Sequence, residues 1–156
     1  IPLVLHPDGP TILFTERAAH LSTHAGQVSF PGGAYEEHDA DLVATALRET
    51  HEETGIPPER VEVIASLAEY FTISRFRVTP VVGVLRPGFE LAPDPNEVAE
   101  VFELPLSVLL DRRRFERRMV ERNGQRGFTY FLEHDGRVVW GATAGMLLML
   151  ARSLEG

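Results

Sequence analysis

Two glycines at 32–33 and two prolines at 57–58 enclose the segment that constrains the fold of this chain most. Glycine lets a backbone bend through angles that other residues avoid, and proline prevents a helix from continuing. Residues 41–54 have the pattern of a helix, and Gly55 stands where a left-handed C-terminal cap belongs. The sequence therefore predicts a single helix of defined length that is entered from a sharp bend.

Strand patterns separated by turn residues occupy most of the remaining chain. Asn123-Gly124 and Asp135-Gly136 each predict a tight hairpin. Hairpins require antiparallel pairs, and here they occur in a chain whose helices alternate with strands, so we expect an α/β fold in which helices pack on a mixed sheet. Strands are predicted at 1–5, 11–15, 61–64, 68–72, 77–85, 101–104, 115–121, 127–133 and 137–140, helices also at 105–111 and 142–153, and a loop at 18–29.

Length and composition limit the class of protein. With 156 residues, the chain is expected to form a single domain over 1–156. It contains no cysteine, which excludes disulfides, thiolate metal ligands and a cysteine nucleophile, and which fits a cytoplasmic protein. No apolar run approaches the ~18 residues of a membrane span, and no signal peptide is recognisable.

The charge balance limits the partners. Fifteen basic and 23 acidic residues give a net charge of −8. We therefore expect a small-molecule substrate rather than a nucleic acid or a membrane, and the oligomeric state stays open. A polyphosphate substrate would be repelled unless a bound cation intervened.

Three glutamates gather on one face of the predicted helix. Glu49, Glu52 and Glu53 have the spacing i, i+3, i+4, which places them within an arc of about 100°. Like charges at this spacing destabilise an isolated helix by a few tenths of a kcal/mol per pair. A hard divalent cation held by carboxylate oxygens would offset that cost. Arg48 lies four residues before Glu52 and can orient the Glu52 side chain.

The residues around this face resemble the signature of the Nudix hydrolases, G-x5-E-x7-R-E-U-x-E-E-x-G-U, in which U is bulky and apolar. The matching positions are Gly33, Arg48, Glu49, Glu52, Glu53, Gly55 and Ile56. Thr50 takes the first U position, and the interval from Gly33 to Arg48 is one residue longer than the signature. Counting forward puts the early acid at Asp39, and counting back puts it at Ala40.

A second, upstream motif is similar to LLTxR(S/A)x3Rx3Gx3FPGG of the coenzyme A (CoA) pyrophosphatases. The matching positions are Thr15, Arg17, Ala18, Gly26, Phe30, Pro31, Gly32 and Gly33. Ser22 replaces an arginine and Phe14 replaces a leucine. Arg17, His20 and His24 are the candidates for phosphate contact, with a solvated strand-end arginine and ordinary surface histidines as the alternatives. Gly33 is a further candidate for substrate binding.

The resemblance implies a Nudix-type α/β/α sandwich with a mixed sheet and a loop–helix–loop catalytic motif. It implies Mg²⁺ or Mn²⁺ held mainly by Glu49 and Glu53, with a Gly32 or Gly33 carbonyl as a further oxygen ligand. Glu52 would bind another metal ion or help to activate the attacking water, and Arg48 would support it.

Nudix enzymes usually take one more acid from outside the signature. Glu97, Glu100 and Glu103 follow the proline-rich loop at 93–95. Glu97 is the preferred candidate because it lies at the predicted junction between loop and strand, and a solvated glutamate is the alternative at each position.

The function implied is hydrolysis of the diphosphate of CoA or its derivatives to 3′,5′-ADP and a 4′-phosphopantetheine product. The alternatives are a Nudix hydrolase of another nucleoside diphosphate derivative, such as NADH or ADP-ribose, and a non-catalytic nucleotide-binding module. The arginines at 112–114 and 117–118 would meet the 3′-phosphate of CoA or belong to a solvated hairpin.

Overall fold

Three sheets and three helices make up the described residues, 1–21, 26–122 and 124–155, of the computed structural model. The strands are β1 (Pro2–His6), β2 (Gly9–Arg17), β3 (Val28–Ser29), β4 (Val61–Ser66), β5 (Tyr70–Phe71), β6 (Arg77–Val78), β7 (Val81–Leu85), β8 (Val98–Pro105), β9 (Glu116–Arg122), β10 (Gln125–His134) and β11 (Arg137–Trp140). The helices are α1 (Leu42–Thr54), α2 (Leu106–Leu109) and α3 (Gly141–Glu155), with short 3₁₀ turns at Pro58–Arg60 and Arg112–Arg114.

The central sheet is mixed, as predicted. Its order is β3-β2-β1-β7-β4, and β8 pairs with β2. Strands β1 and β7 are parallel, with Val4 opposite Leu85, and the other pairs of this sheet are antiparallel. Strands β9, β10 and β11 form a separate antiparallel sheet, and β5 pairs with β6.

The two faces of the central sheet bury different sets of side chains. Because side chains alternate along a strand, Leu13 faces one side while its neighbours Ile12 and Phe14 face the other. Leu13 packs with Ile56, just after α1, and Ile12 and Phe14 share a core with Leu147 of α3. Helices therefore cover both faces, which confirms the α/β/α sandwich.

Helix α1 begins and ends where its local signals predict. The Asp41 side chain accepts a hydrogen bond from the Ala44 N–H at 2.8 Å. Gly55 has φ +83°, and its N–H donates to the His51 carbonyl at 2.9 Å. Thr50 is buried, and its hydroxyl donates to the Ala46 carbonyl at 2.7 Å, so this position tolerates a polar residue without an unpaired hydroxyl.

Two predicted segments differ from the structure in their elements. Others differ only in their bounds, such as the predicted helix at 105–111, which is α2, and the predicted strand at 68–72, which is β5. The single strand expected at 77–85 is two strands, β6 and β7, because Pro80 lies between them and cannot donate a hydrogen bond to a sheet. The predicted loop at 18–29 contains β3, which pairs with β2 through Ser29 opposite Thr15. Within the described ranges, no helix is long and apolar enough to cross a membrane.

We predict that Gly55→Ala destabilises the protein by more than Gly136→Ala. Both glycines have positive φ, +83° and +76°, so each alanine costs about 1–2 kcal/mol for its left-handed conformation. Only at Gly55 would the new Cβ also lie 2.7 Å from the Ala92 nitrogen, whereas nothing lies within 4 Å at Gly136. Urea unfolding of both variants measures the difference, and equal losses would show that the Ala92 contact is unimportant.

Candidate metal centre

The glycine bend lies directly against two carboxylates of α1. The Gly32 N–H donates to Oε2 of Glu53 at 3.0 Å. A Cβ added to Gly33 would lie 2.6 Å from Oε1 of Glu49, so only glycine permits this close approach. Phe30, just before the bend, stacks on the buried Phe14 with ring centroids 5.3 Å apart. The core therefore fixes the loop that approaches the acidic face.

Arg48 connects this face to the preceding loop. Its Nε donates to Oδ1 of Asp39 at 2.9 Å and its Nη2 to Oδ2 at 3.0 Å, which is a two-pronged ion pair. Nη2 also donates to the Ala34 carbonyl at 3.1 Å. Nη1 donates to Glu49 at 3.0 Å and lies 3.4 Å from both carboxylate oxygens of Glu52. Arg48 thus orients Glu49 most directly and Glu52 more loosely.

Asp39, rather than Ala40, is the early acid whose position the sequence leaves open. Its side chain is only 3% exposed, and it also accepts hydrogen bonds from Thr45 Oγ1 at 2.9 Å and from the Glu36 N–H at 3.0 Å. The hydrogen bonds from Arg48 hold the pKa of Asp39 well below its ordinary value, against the opposing effect of burial. The additional residue of this chain therefore lies between the acid and Arg48.

Burial disfavours the charged forms of Glu53 and Glu49. Burial raises the pKa of Glu53 to about 7; the neighbouring Glu49 and Glu97 raise it as well, while the Gly32 N–H and Arg17 act in the opposite direction. Burial also raises the pKa of Glu49, and the hydrogen bond from Arg48 opposes this. Both carboxylates therefore favour a nearby positive charge.

Glu97 is the acid from outside the helix that the structure brings to this face. Its charge raises the pKa of both Glu49 and Glu53. Its carbonyl accepts a hydrogen bond from the Ala18 N–H at 2.9 Å, which fixes the loop against the end of β2. The other two candidates have partners elsewhere: Glu100 pairs with Arg137, and Glu103 contacts His6 and Thr11.

The residues predicted to contact phosphate differ in how near the structure places them to the acidic face. Arg17, at the end of β2, lies close enough to Glu53 to lower its pKa. His20 is exposed in the following loop, and His24 lies outside the described residues. The roles of Arg17, His20 and His24 stay predictions.

Most of the arginines at 112–118 are satisfied within their own hairpin or by α3. Arg112 pairs with Glu155, Arg113 with Asp111, and Arg118 with Glu116. Arg117 lies over the Phe128 ring. This arrangement favours the solvated hairpin over a dedicated phosphate site.

Sequence reasoning misses Thr45, whose buried hydroxyl donates to Asp39. A signal was present, because a threonine four residues after the helix cap sits on the side of α1 that faces the preceding loop. Its partner is six positions earlier in a bend, and that distance cannot be inferred from helical periodicity.

The donor set fits a hard divalent cation in an open site. Carboxylate oxygens are what Mg²⁺ and Mn²⁺ bind, and Mg²⁺ commonly takes one or two carboxylates and completes its shell with water and substrate phosphate. Among the described residues, no three acidic or histidine side chains already enclose a cation. Glu49, with Gly33 packed against it, and Glu53, which accepts the Gly32 N–H, are the residues that would hold it.

Comparison with known proteins identifies the family of this chain. The NUDIX domain family matches residues 1–122, and the chain belongs to this family. It is 41% identical over 155 residues to the uncharacterized Nudix hydrolase NudL of Photorhabdus laumondii, covering 99% of this chain and 82% of that protein. The NudL of Pectobacterium atrosepticum is 43% identical over 155 residues, with 99% and 80% covered.

Solved Nudix structures share the fold. A Nudix hydrolase from M. smegmatis, RenU, superposes with a TM-score of 0.59 at 24% identity, covering 71% of this chain and 70% of that one. The Ap4A hydrolase of C. elegans in a binary complex gives a TM-score of 0.58 at 18% identity, with 69% and 77% covered. The chain is thus a Nudix hydrolase, a class that acts on nucleoside diphosphate derivatives and generally uses divalent metal ions.

We predict that Gly33→Ala lowers kcat/KM by at least about 10–100-fold, the loss typical of disturbing the surroundings of a metal ligand. The added methyl group would displace the Glu49 carboxylate. Gly32→Ala is the matched control, because its added methyl group would meet nothing within 4 Å and its N–H to Glu53 is retained. Equal losses in the two variants would contradict the special role of Gly33.

We predict that Asp39→Asn lowers stability at neutral pH and that the difference from wild type narrows as the pH falls below about 4. The folded-state pKa of Asp39 lies below its ordinary value, so its stabilising effect is complete above the ordinary carboxyl pKa of about 4 and declines as the pH falls from there through the lower folded-state pKa. Urea midpoints between about pH 3 and pH 7 measure this difference.

The control for this series is Asp8→Asn, which removes the same charge from an exposed turn. It should leave the midpoint close to that of wild type at every pH. A gap between wild type and Asp39→Asn that stays constant down to pH 3 would contradict the ion-pair explanation.

Proposed function

We propose that this chain is a metal-dependent pyrophosphatase that hydrolyses the diphosphate of CoA or its derivatives to 3′,5′-ADP and a 4′-phosphopantetheine product. The observation that carries the proposal is the position of Arg17. This residue belongs to the upstream motif that is similar to the CoA pyrophosphatases, and its charge lies beside Glu53 of the metal-binding face. The two motifs that point to CoA and to metal chemistry therefore converge on one site.

In this proposal the acidic residues divide the work. Glu49 and Glu53 hold Mg²⁺ or Mn²⁺, the Gly33 carbonyl is a further oxygen ligand, and Glu52 holds another cation or assists the attacking water. When bound, the cation neutralises charge on the phosphate oxygens and lowers the pKa of bound water. Arg48 keeps Glu49 in position through its contact at 3.0 Å and is itself fixed by Asp39.

Glu97 is the proposed general base. A carboxylate oxygen of Glu97 accepts a proton from water while the water oxygen forms a bond to phosphorus and the phosphoanhydride bond breaks, releasing the second phosphate as the leaving group. The Ala18 N–H holds the Glu97 backbone next to Arg17. Arg17 and the loop that carries His20 and His24 contact the phosphates in this scheme.

We also propose a compartment for this chain and the extent of its domain. This proposal describes a cytoplasmic enzyme. Residues 1–156 would act as one domain, because α3, which follows the family match at 1–122, contributes Leu147 and Leu150 to the same core as Ile12 and Phe14.

A substrate panel tests this function. CoA, acetyl-CoA, NADH, ADP-ribose and a dinucleoside polyphosphate are each incubated with the protein and Mg²⁺ or Mn²⁺, and product masses are recorded. The proposal expects CoA or acetyl-CoA to be cleaved with the highest kcat/KM, to 3′,5′-ADP, and expects no turnover in excess EDTA. A preference for NADH or ADP-ribose would replace the CoA assignment, and binding without turnover would indicate a nucleotide-binding module.

We predict that Glu97→Gln lowers kcat by about 10²–10⁴-fold, the usual contribution of a general base. Glu100→Gln is the matched control. It removes the same charge three residues further along the chain, from a glutamate that pairs with Arg137 instead of facing Glu49 and Glu53. Steady-state kinetics on the best substrate of the panel compares them. If both variants keep wild-type kcat, Glu97 is not the base.

A further inference from the structure

The register of the central sheet places the β5–β6 hairpin near the acidic face of α1. Leu3 of β1 lies opposite Ile12 of β2 on one side and Val84 of β7 on the other. Three positions further toward the end of β2, the same register brings Thr15 level with Val81, two strand spacings or about 10 Å away. Val81 is the first residue of β7, and the hairpin comes directly before it in the chain. The hairpin therefore leaves the sheet beside the end of β2 that adjoins the acidic face.

Contacts of α3 support this placement. The hydroxyl of Thr143, near the start of α3, donates to the Val28 carbonyl of β3 at 3.2 Å. Two residues later, Gly145 lies so close to the Tyr70 phenol of β5 that an added Cβ would overlap the ring. The start of α3 thus joins the hairpin to β3, the strand that leads directly into the glycine bend at 32–33.

The two faces of the hairpin point to opposite sides of the sheet. Tyr70 packs on α3, and Val78 lies opposite it in the neighbouring strand. Phe71 follows Tyr70 and lies opposite Arg77. Because successive side chains of a strand point to opposite faces, Phe71 and Arg77 lie on the face turned away from α3, which is the side that α1 covers. Arg77 pairs with Glu69 at 3.2 Å, and the Phe71 side chain is left 67% exposed.

We propose that Phe71 stacks on the nucleobase of the substrate whose diphosphate lies at the acidic face. The inference rests on the nucleotide hydrolysis proposed above but not on CoA itself, because every nucleoside diphosphate derivative carries a base. An exposed aromatic ring offers a base a flat apolar surface and accepts any base, since each has a π-face. With the hairpin about two strand spacings from the end of β2, one nucleotide can place its base on Phe71 and its phosphates at the metal-binding residues.

Kinetics of Phe71→Ser on two substrates test this contact. The first is the best substrate of the panel above, and the second is its analogue with hydrogen in place of the adenine. On the first substrate the variant should raise KM about 5–150-fold, the range for losing one base–aromatic stack. The kcat should not change, because stacking holds the ground state and the transition state equally. On the analogue, wild type and variant should have the same KM, and Phe71→Trp should keep the wild-type KM on both substrates.

Phe76→Ser is the matched control. Phe76 is 66% exposed on the same hairpin, and the register that pairs Phe71 with Arg77 puts it opposite Thr72, on the face that carries Tyr70. Its loss should leave KM unchanged on both substrates. Equal increases in KM for Phe71→Ser and Phe76→Ser would overturn the proposal. So would a wild-type KM for Phe71→Ser, or an increase that is as large on the analogue, since the ring would then contact another part of the substrate.

Failure of the CoA assignment is a separate outcome. A preference for NADH or ADP-ribose would replace that assignment and leave this comparison in place, because both molecules carry adenine. If the chain binds nucleotides without turnover, isothermal titration compares the same variants by their Kd, with the same ratios expected. A chain that neither cleaves nor binds any of these nucleotides would overturn both proposals.

Discussion

Repulsion between carboxylates at the end of α1 is the constraint on which the site depends. Glu49 and Glu53 lie on one helix face, Glu97 approaches them from the loop before β8, and burial raises the pKa of the first two. Such an arrangement costs stability unless positive charge is supplied. Arg48 supplies part of it on one side and Arg17 on the other, which leaves the centre of the face to a cation.

The scaffold around this face is built to keep the charges together. The Arg48–Asp39 pair closes the bend onto α1, and the stacked Phe14 and Phe30 rings fix the start of the same bend in the core. Gly32 and Gly33 then bring the backbone within reach of both carboxylates. These contacts join the bend, α1 and β2, so the acidic face depends on how these three elements pack.

Local sequence signals predicted part of the fold and of the candidate site. The bounds of α1 followed from Asp41, Gly55 and the proline pair at 57–58, and the mixed sheet followed from the hairpin turns. Glu97 was the preferred outer acid, and the structure places it, but not Glu100, beside the acidic face. Glu97 lies at the end of a loop that leads into β8. The position of such a junction can be predicted from neighbouring residues, here the prolines of the loop at 93–95.

Contacts between distant positions were not predictable. Pro80 divides a strand pattern between two sheets, and the choice between Asp39 and Ala40 depended on the fold of a bend rather than on counting. Each of these depends on which elements meet, and periodicity along one element does not contain that information.

The central claim is that repulsion between Glu49, Glu53 and Glu97 destabilises the cation-free protein and that binding of a divalent cation offsets this cost. Thermal unfolding of chelator-treated wild type and Glu53→Gln, each with and without Mg²⁺ or Mn²⁺, tests it most directly. We expect the variant to be more stable than wild type in chelator, because it buries no charge at position 53. The cation at about 100 times its Kd should stabilise wild type by about 2.7 kcal/mol and the variant by much less. A wild type that gains nothing from either cation, or a variant that gains as much, would contradict the account.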